Sequence, residues 1–304
     1  MDRPAEENAG PAHTPSVPKR DTWRMIQSTM MATRKTTVIL AMLLLAGVFV
    51  MPCAHGDNGE LVLGVSPLLD EQDTRRQFQP LCDYLGTVTQ RPCRIVTRPN
   101  YLTYWESMRR GQTYNLLLDD AHFTDYRIQK MGYTVLAKIP HTVTYSLAIP
   151  RSAKIHDPAR LVGRRIATLG IPSMGAAFLN GLFPQPSKQP IPVEVDNAAE
   201  GFALLRSGKV EAAILPTPLV REEILRGAEL RVLLSTAPIP QMGISVAPDI
   251  DPDTRKVLQK ALLQAHKSPA GQKLLAELGI ERFDAATATI YKGQARILQQ
   301  YWGY

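Results

Sequence analysis

Residues 164–181 read "RRIATLGIPSMGAAFLNG". An apolar run ends at Gly170, a Pro-Ser step follows, and small residues lead into a helical pattern. Strand, glycine turn and helix in that order form the repeating unit of α/β folds. Ser173 stands where a helix N-cap belongs, and Gly175, Ala176 and Ala177 give the first turn almost no side chain. Two readings account for that bareness. One is packing; the other is an anionic or acceptor-rich group at the positive end of the helix.

The unit recurs on both sides. Upstream, "ELVLGVS" (60–66) reads as a strand, and Phe78, Leu81, Cys82, Leu85 and Val88 mark one helical face. "CRIVT" (93–97) is β-branched, "YLTYWESMRRG" (101–111) is a helix closed by glycine, and "YNLLLDD" (114–120) is a buried strand. "AHFTDYRIQKMG" (121–132) is a helix, followed by the strands "YTVLAKI" and "VTYSLAI". At Pro150 the composition changes, and a second α/β set runs to "ELRVLLS" (229–235). "APIPQ" (237–241) marks a recrossing, then a strand and C-terminal helices over 257–265, 269–278 and 287–302. Two crossings, near 150 and 240, predict two lobes joined by two crossover strands around a cleft. The expected lobes are 57–148 with 240–304, and 149–239. A hinged cleft of this kind closes on a ligand.

The 304 residues are 44% hydrophobic and 21% charged, ordinary for a globular chain of two lobes. The front is different. "MATRKTTVILAMLLLAGVFVMPCAHG" (31–56) places Arg34 and Lys35 before an apolar run over 38–51 and a small-residue site at Ala54-His55-Gly56, the pattern of a secretory signal. The run is shorter than the roughly 20 residues of a membrane span. Residues 1–56 are therefore read as an N-terminal extension and signal, and the expected location is periplasmic. The alternative is an uncleaved anchor holding an extracytoplasmic sensory domain. Residues 57–304 carry a net charge of +5 without a Lys/Arg block, so no nucleic-acid partner is expected.

Cys82 and Cys93 leave two outcomes open. If the first helix runs to about Thr89, Cys82 lies roughly 9–10 Å up its axis from the next strand, too far for a bridge. If Gly86 ends the helix early, the bridge is feasible. No G-x-S-x-G, P-loop or H-E-x-x-H pattern occurs, so the chain reads as a binding protein and not an enzyme. Asp119, Asp120 and His122 lack a second histidine at ligand spacing, and neither metal nor cofactor is expected.

Taken together, "LVLGVSPLLDEQDTRRQFQPLCDYLG", "NYLTYWESMRRGQTYNLLLDDAHFTDY", "GRRIATLGIPSMGA", "AAEGFALLRSGKVEAAIL" and "SPAGQKLLAELGIERFDAATATIY" resemble one family. It is the periplasmic substrate-binding components of phosphate/phosphite/phosphonate ABC importers, PhnD-like members of the type 2 periplasmic-binding-protein fold. The resemblance covers about 60–300. It implies a Venus flytrap that binds a small anionic or zwitterionic solute, a membrane permease as partner, and a monomer. It also implies that Ser173, Met174 and Gly175 offer hydroxyl and backbone N–H groups to the ligand, and that Tyr101 lines the cleft.

Where relatives commonly have an uncharged Gly-Pro turn, this chain has Asp119-Asp120-Ala121-His122. Paired carboxylates suit a donor or cation, although one of them is expected to cap the helix 121–131. Asn197, where relatives often have Ser-His, and Thr217, after the next strand, complete the candidates with Ser66 at the end of the first strand. Ser173 keeps both readings, cap and ligand contact.

Overall fold

The computed structural model describes residues 59–111 and 114–302, with the side chains of Gln300 and Trp302 excepted. The signal expected in 1–56 lies outside the described residues.

Two mixed sheets organise the chain. The first contains β1 (Leu61–Val65), β2 (Cys93–Val96), β3 (Leu116–Asp119), β4 (Thr134–Lys138), β12 (Gly243–Val246) and β13 (Asp284–Ala285), in the order β13-β4-β12-β3-β1-β2. β1 runs parallel to β2 and β3, whereas β12 is antiparallel to both its neighbours. The second contains β6 (Tyr145–Pro150), β7 (Arg165–Thr168), β8 (Ile191–Glu194), β9 (Ala212–Pro216) and β10 (Leu230–Ser235), in the order β10-β6-β9-β7-β8. Between them, β5 (Thr142–Val143) and β11 (Ile239–Pro240) pair antiparallel.

The first crossing thus falls at Thr142–Val143, not near Pro150: all of β6 belongs to the second sheet. Pro140 and the left-handed His141 break the chain before it, while the apolar run through Pro150 simply continues a buried strand.

The central parallel strands β1, β3 and β9 are buried on both faces, which is why they read as unbroken apolar runs. Helix α1 (Glu71–Thr89) covers the first sheet with α7 (Pro252–Leu263) and α8 (Pro269–Leu278). Leu63, Leu81, Leu85, Leu117, Leu258 and Leu262 share that core, each worth about 1.5–3 kcal/mol when fully buried.

Helix α1 runs to Thr89, and yet Cys82 and Cys93 are bridged, with their Cα atoms 5.5 Å apart. Gly86 permits this without ending the helix. After the left-handed cap Gln90 the chain turns back along α1, Arg91 N–H donates to the Gly86 carbonyl at 3.0 Å, and a Cβ on Gly86 would stand 2.8 Å from Arg91 O. The strand returns along the axis and erases the offset expected from the helix alone.

The remaining helices follow the strands: α2 (Tyr101–Arg109) and α3 (Ala121–Met131) on the first sheet, α4 (Met174–Leu182), α5 (Ala198–Arg206) and α6 (Thr217–Leu225) on the second. The chain ends in α9 (Ala288–Tyr291) and α10 (Arg296–Trp302). No described helix is long and apolar enough to cross a membrane.

Candidate functional site

The turns that leave β1, β2 and β3 face those that leave β7 and β8. Ala198 N–H donates to the Leu68 carbonyl at 3.2 Å, and Asn100 Nδ2 donates to Asp196 Oδ1 at 2.8 Å, so the two sets of strand ends meet. Ends of strands feeding helix N-termini are where α/β folds place ligands. Four elements contribute to a buried polar knot there: β1 through Ser66, α2 through Tyr101 and Tyr104, the β3–α3 turn through Asp119, Asp120 and His122, and β6 through Tyr145.

Within the knot, Ser66 Oγ accepts from Asp120 N–H at 3.1 Å and donates to Asp119 Oδ1 at 3.4 Å. The Tyr101 hydroxyl donates to Asp120 Oδ2 at 2.5 Å, and the Tyr104 hydroxyl to Asp119 Oδ1. Tyr145, the first residue of the second sheet, hydrogen-bonds the Tyr101 phenol. Burial pushes the Tyr101, Tyr104 and Tyr145 phenols far above their ordinary values, so all three are neutral donors.

The two aspartates differ. Asp119 forms a salt bridge with Arg127 of α3, Nε to Oδ2 at 2.7 Å, with both side chains fully buried. Burial alone would lower the Arg127 pKa, but Asp119, aided by the Tyr104 and Tyr133 phenols, reverses this. Asp119 is therefore neutralised from within, which leaves Asp120 as the member of the pair without an internal cation. Asp120 has no such partner: burial raises its pKa to about 6, against the lowering effect of Tyr101, and Asp119 adds to the rise. Nor does either carboxylate cap α3, since Asp120 occupies the N-cap position without a side-chain cap bond. Its phenol partner holds the carboxylate away from the helix N–H groups.

His122 is 0% exposed, and neither ring nitrogen has a hydrogen-bond partner. Its ring stacks on Tyr101 with centroids 6.5 Å apart and lies against Phe123 at 4.0 Å. Burial lowers its pKa to about 3, so it is a neutral imidazole with one donor and one acceptor to offer. Unmet buried polar atoms of this kind cost about 1–3 kcal/mol each and mark a place where a ligand or water belongs.

On the opposite wall, Ser173 is fully buried at the N-cap of α4, its Oγ accepting from Ala176 N–H at 3.2 Å. Gly175 has a packing reason: a Cβ there would lie 3.0 Å from the Ile214 carbonyl of β9. Met174 is half-buried beside it. The remaining candidates have other commitments. Asn197 caps α5 by accepting from Glu200 N–H at 3.0 Å. The Thr217 hydroxyl lies 2.6 Å from that of Thr144 and 2.7 Å from that of Ser146, behind the hinge. There it borders an open groove of about 410 Å³ with Val143, Pro218, Arg221 and Leu225.

The sequence reading missed the parts played by Arg127 and Tyr145. Arg127 looks like a solvated helix residue, and Tyr145 like any strand aromatic. The one usable signal was the unexplained carboxylate pair, which demands a cation somewhere. Among the described residues no group of acidic, His or Cys side chains forms a metal site.

The family model for the periplasmic substrate-binding protein of phosphonate ABC transporters matches residues 63–291. The chain belongs to that family. Phosphonate-transporter binding proteins of this kind bind a small solute and hand it to a permease, and this is the class of activity the chain carries; the family is one of binding proteins, not enzymes. Similar solved structures include PhnD1 from Prochlorococcus marinus in complex with methylphosphonate, at 15% identity and a TM-score of 0.69, over 81% of this chain and 100% of that one. XAC2383 from Xanthomonas citri, bound to ATP, has 18% identity and a TM-score of 0.64, over 79% and 97%. The binding protein PA3383 of a Pseudomonas aeruginosa phosphonate transporter has 13% identity and a TM-score of 0.65, over 80% and 85%. At these identities the likeness establishes the two-lobe fold. No individual curated protein matches the chain significantly.

Proposed function

We propose that this binding protein takes a small phosphonate- or phosphate-like solute that also carries an amine or hydroxyl donor, and works as a periplasmic monomer at its permease. The oxyanion sits at the N-terminus of α4, against Ser173 Oγ and the N–H groups of Met174 and Gly175, where the helix dipole supplies positive potential. The donor end meets Asp120, held in place by Tyr101 and Ser66, and the free nitrogens of His122. The observation that carries this reading is the pairing of the unpartnered His122 ring with a buried carboxylate, Asp120, whose charge no internal cation cancels. A simple anion would leave that carboxylate uncompensated; a zwitterion satisfies both walls.

The test is calorimetry with methylphosphonate, inorganic phosphate and an aminoalkylphosphonate. The zwitterion is expected to bind tightest, and Asp120→Asn to reduce its affinity about tenfold while changing methylphosphonate binding less. His122→Phe should likewise weaken the zwitterion more than methylphosphonate. If all three compounds fail to bind, or both variants bind as the parent does, the reading is wrong.

A further inference from the structure

Helix α10 belongs by sequence to the C-terminal end of the chain, beyond the last strand of the first sheet, yet it reaches the second. The residue just before it is anchored on α3: Ala295 N–H donates to Asp125 Oδ2 at 2.8 Å, and Asp125, only 2% exposed, is further fixed by Gln129 Nε2 at 2.6 Å. Leu298, 1% exposed, sinks into the apolar cluster that runs from Trp105 and Phe123 to Phe202 and Leu205. At its far end the Tyr301 hydroxyl accepts from Asn180 Nδ2 of α4 at 2.9 Å. Burial raises the Tyr301 phenol above its ordinary range, so it stays protonated, and Glu194 of β8 adds to that rise.

We propose that α10 is a strap: anchored in the first lobe at Asp125 and clipped to the second at Asn180, it holds the lobes shut. The two lobes are joined by different means on the two sides. On the α5 side the loops meet directly, through Leu68 with Ala198 and Asn100 with Asp196. On the α4 side a segment from the chain's far end makes the connection. Because α4 also carries Ser173, the strap sets how firmly that wall stands over the cleft, whatever solute is bound.

The experiment is amide hydrogen exchange on the full chain with no solute added, comparing the parent with Tyr301→Phe, Asn180→Ala and the double variant. Tyr301→Phe keeps the ring that packs and removes only the hydroxyl. Losing one net hydrogen bond from the closed state should speed exchange in α10 and in α4 about fivefold in each single variant. The double variant should go no further, because both substitutions cut the same link. Exchange in β1, β3 and β12 should not change. Unchanged exchange in α4 in either single variant, additive effects in the double, or equal acceleration throughout the first sheet would each overturn the strap.

Discussion

The β3–α3 turn and the β7–α4 turn stand on different lobes, each at the end of a parallel strand that feeds a helix, and they are built oppositely. The first is crowded with ionisable groups, Asp119, Asp120 and His122, all nearly or fully buried. The second has one hydroxyl and then small side chains. The crowded turn is less charged than it looks, because Arg127 cancels Asp119. The bare turn is less open than it looks, because Gly175 lets the helix close on Ile214. On the proposed reading, binding rests on what each turn's neighbours leave over: one carboxylate and one imidazole on one wall, a helix dipole and Ser173 on the other.

The comparison breaks most severely at Arg127. Arg127→Met strands a buried carboxylate and should cost about 3–5 kcal/mol in urea unfolding, while adding Asp119→Leu should restore much of the loss. A double variant no more stable than the single would refute internal cancellation.

Next comes Asp120→Asn. The folded pKa of Asp120, about 6, exceeds the ordinary 3.8, so its favourable contribution is complete below about pH 4 and is lost as pH rises through 6. His122 runs the other way. Its folded pKa, about 3, lies below the ordinary 6.5, so its contribution holds above 6.5 and is lost as pH falls toward 3. Denaturation from pH 4 to 8 should show Asp120→Asn gaining little at pH 4 and about 3 kcal/mol at pH 8. The variant should also lose stability more steeply than the parent between pH 6.5 and 4, with the His122 contribution no longer opposed. A gain independent of pH would mean that Asp120 is not the desolvated partner.

Smaller effects sharpen the bare wall. Gly175→Val should cost about 1–3 kcal/mol by crowding the Ile214 carbonyl, well beyond the cost of the same side chain at the half-buried Ala177. Ser173→Ala should cost about 1 kcal/mol for the lost cap, read as a fall in melting temperature. A loss of solute affinity in a variant whose stability falls only this far would separate ligand contact from capping.

The fold was legible because buried parallel strands must be apolar throughout and their helices must be closed by turns. Those patterns are local, and the stretch 164–181 shows all of them. What depends on distant partners was not legible. The composition change at Pro150 resembles a linker, whereas the chain turns at Pro140-His141 and β6 continues to Pro150. The disulfide hinged on a strand folding back over Gly86, which helix rise alone cannot reveal. At the candidate site, the strand ends pointed to Ser66, Asp120, His122 and Ser173, which the structure places at facing strand ends and which the proposed function uses. The sorting of Asp119 from Asp120 required Arg127, two helical turns away on a face that reads as solvent-exposed. Asn197 and Thr217 sit at the right strand ends, but local partners occupy their side chains.

The antiparallel pair β5–β11 makes the second lobe an insertion in the first, and that dictates an order of assembly. All five strands of the second sheet lie within residues 145–235, so that lobe can complete its hydrogen-bonding ladder as a unit. The first sheet cannot: β12, at 243–246, lies between β3 and β4, and both strands wait for it with an open edge. For a chain that emerges N-terminus first, the lobe that starts first finishes last. The inserted lobe would present a finished scaffold onto which the earlier strands, and then the C-terminal helices, are gathered.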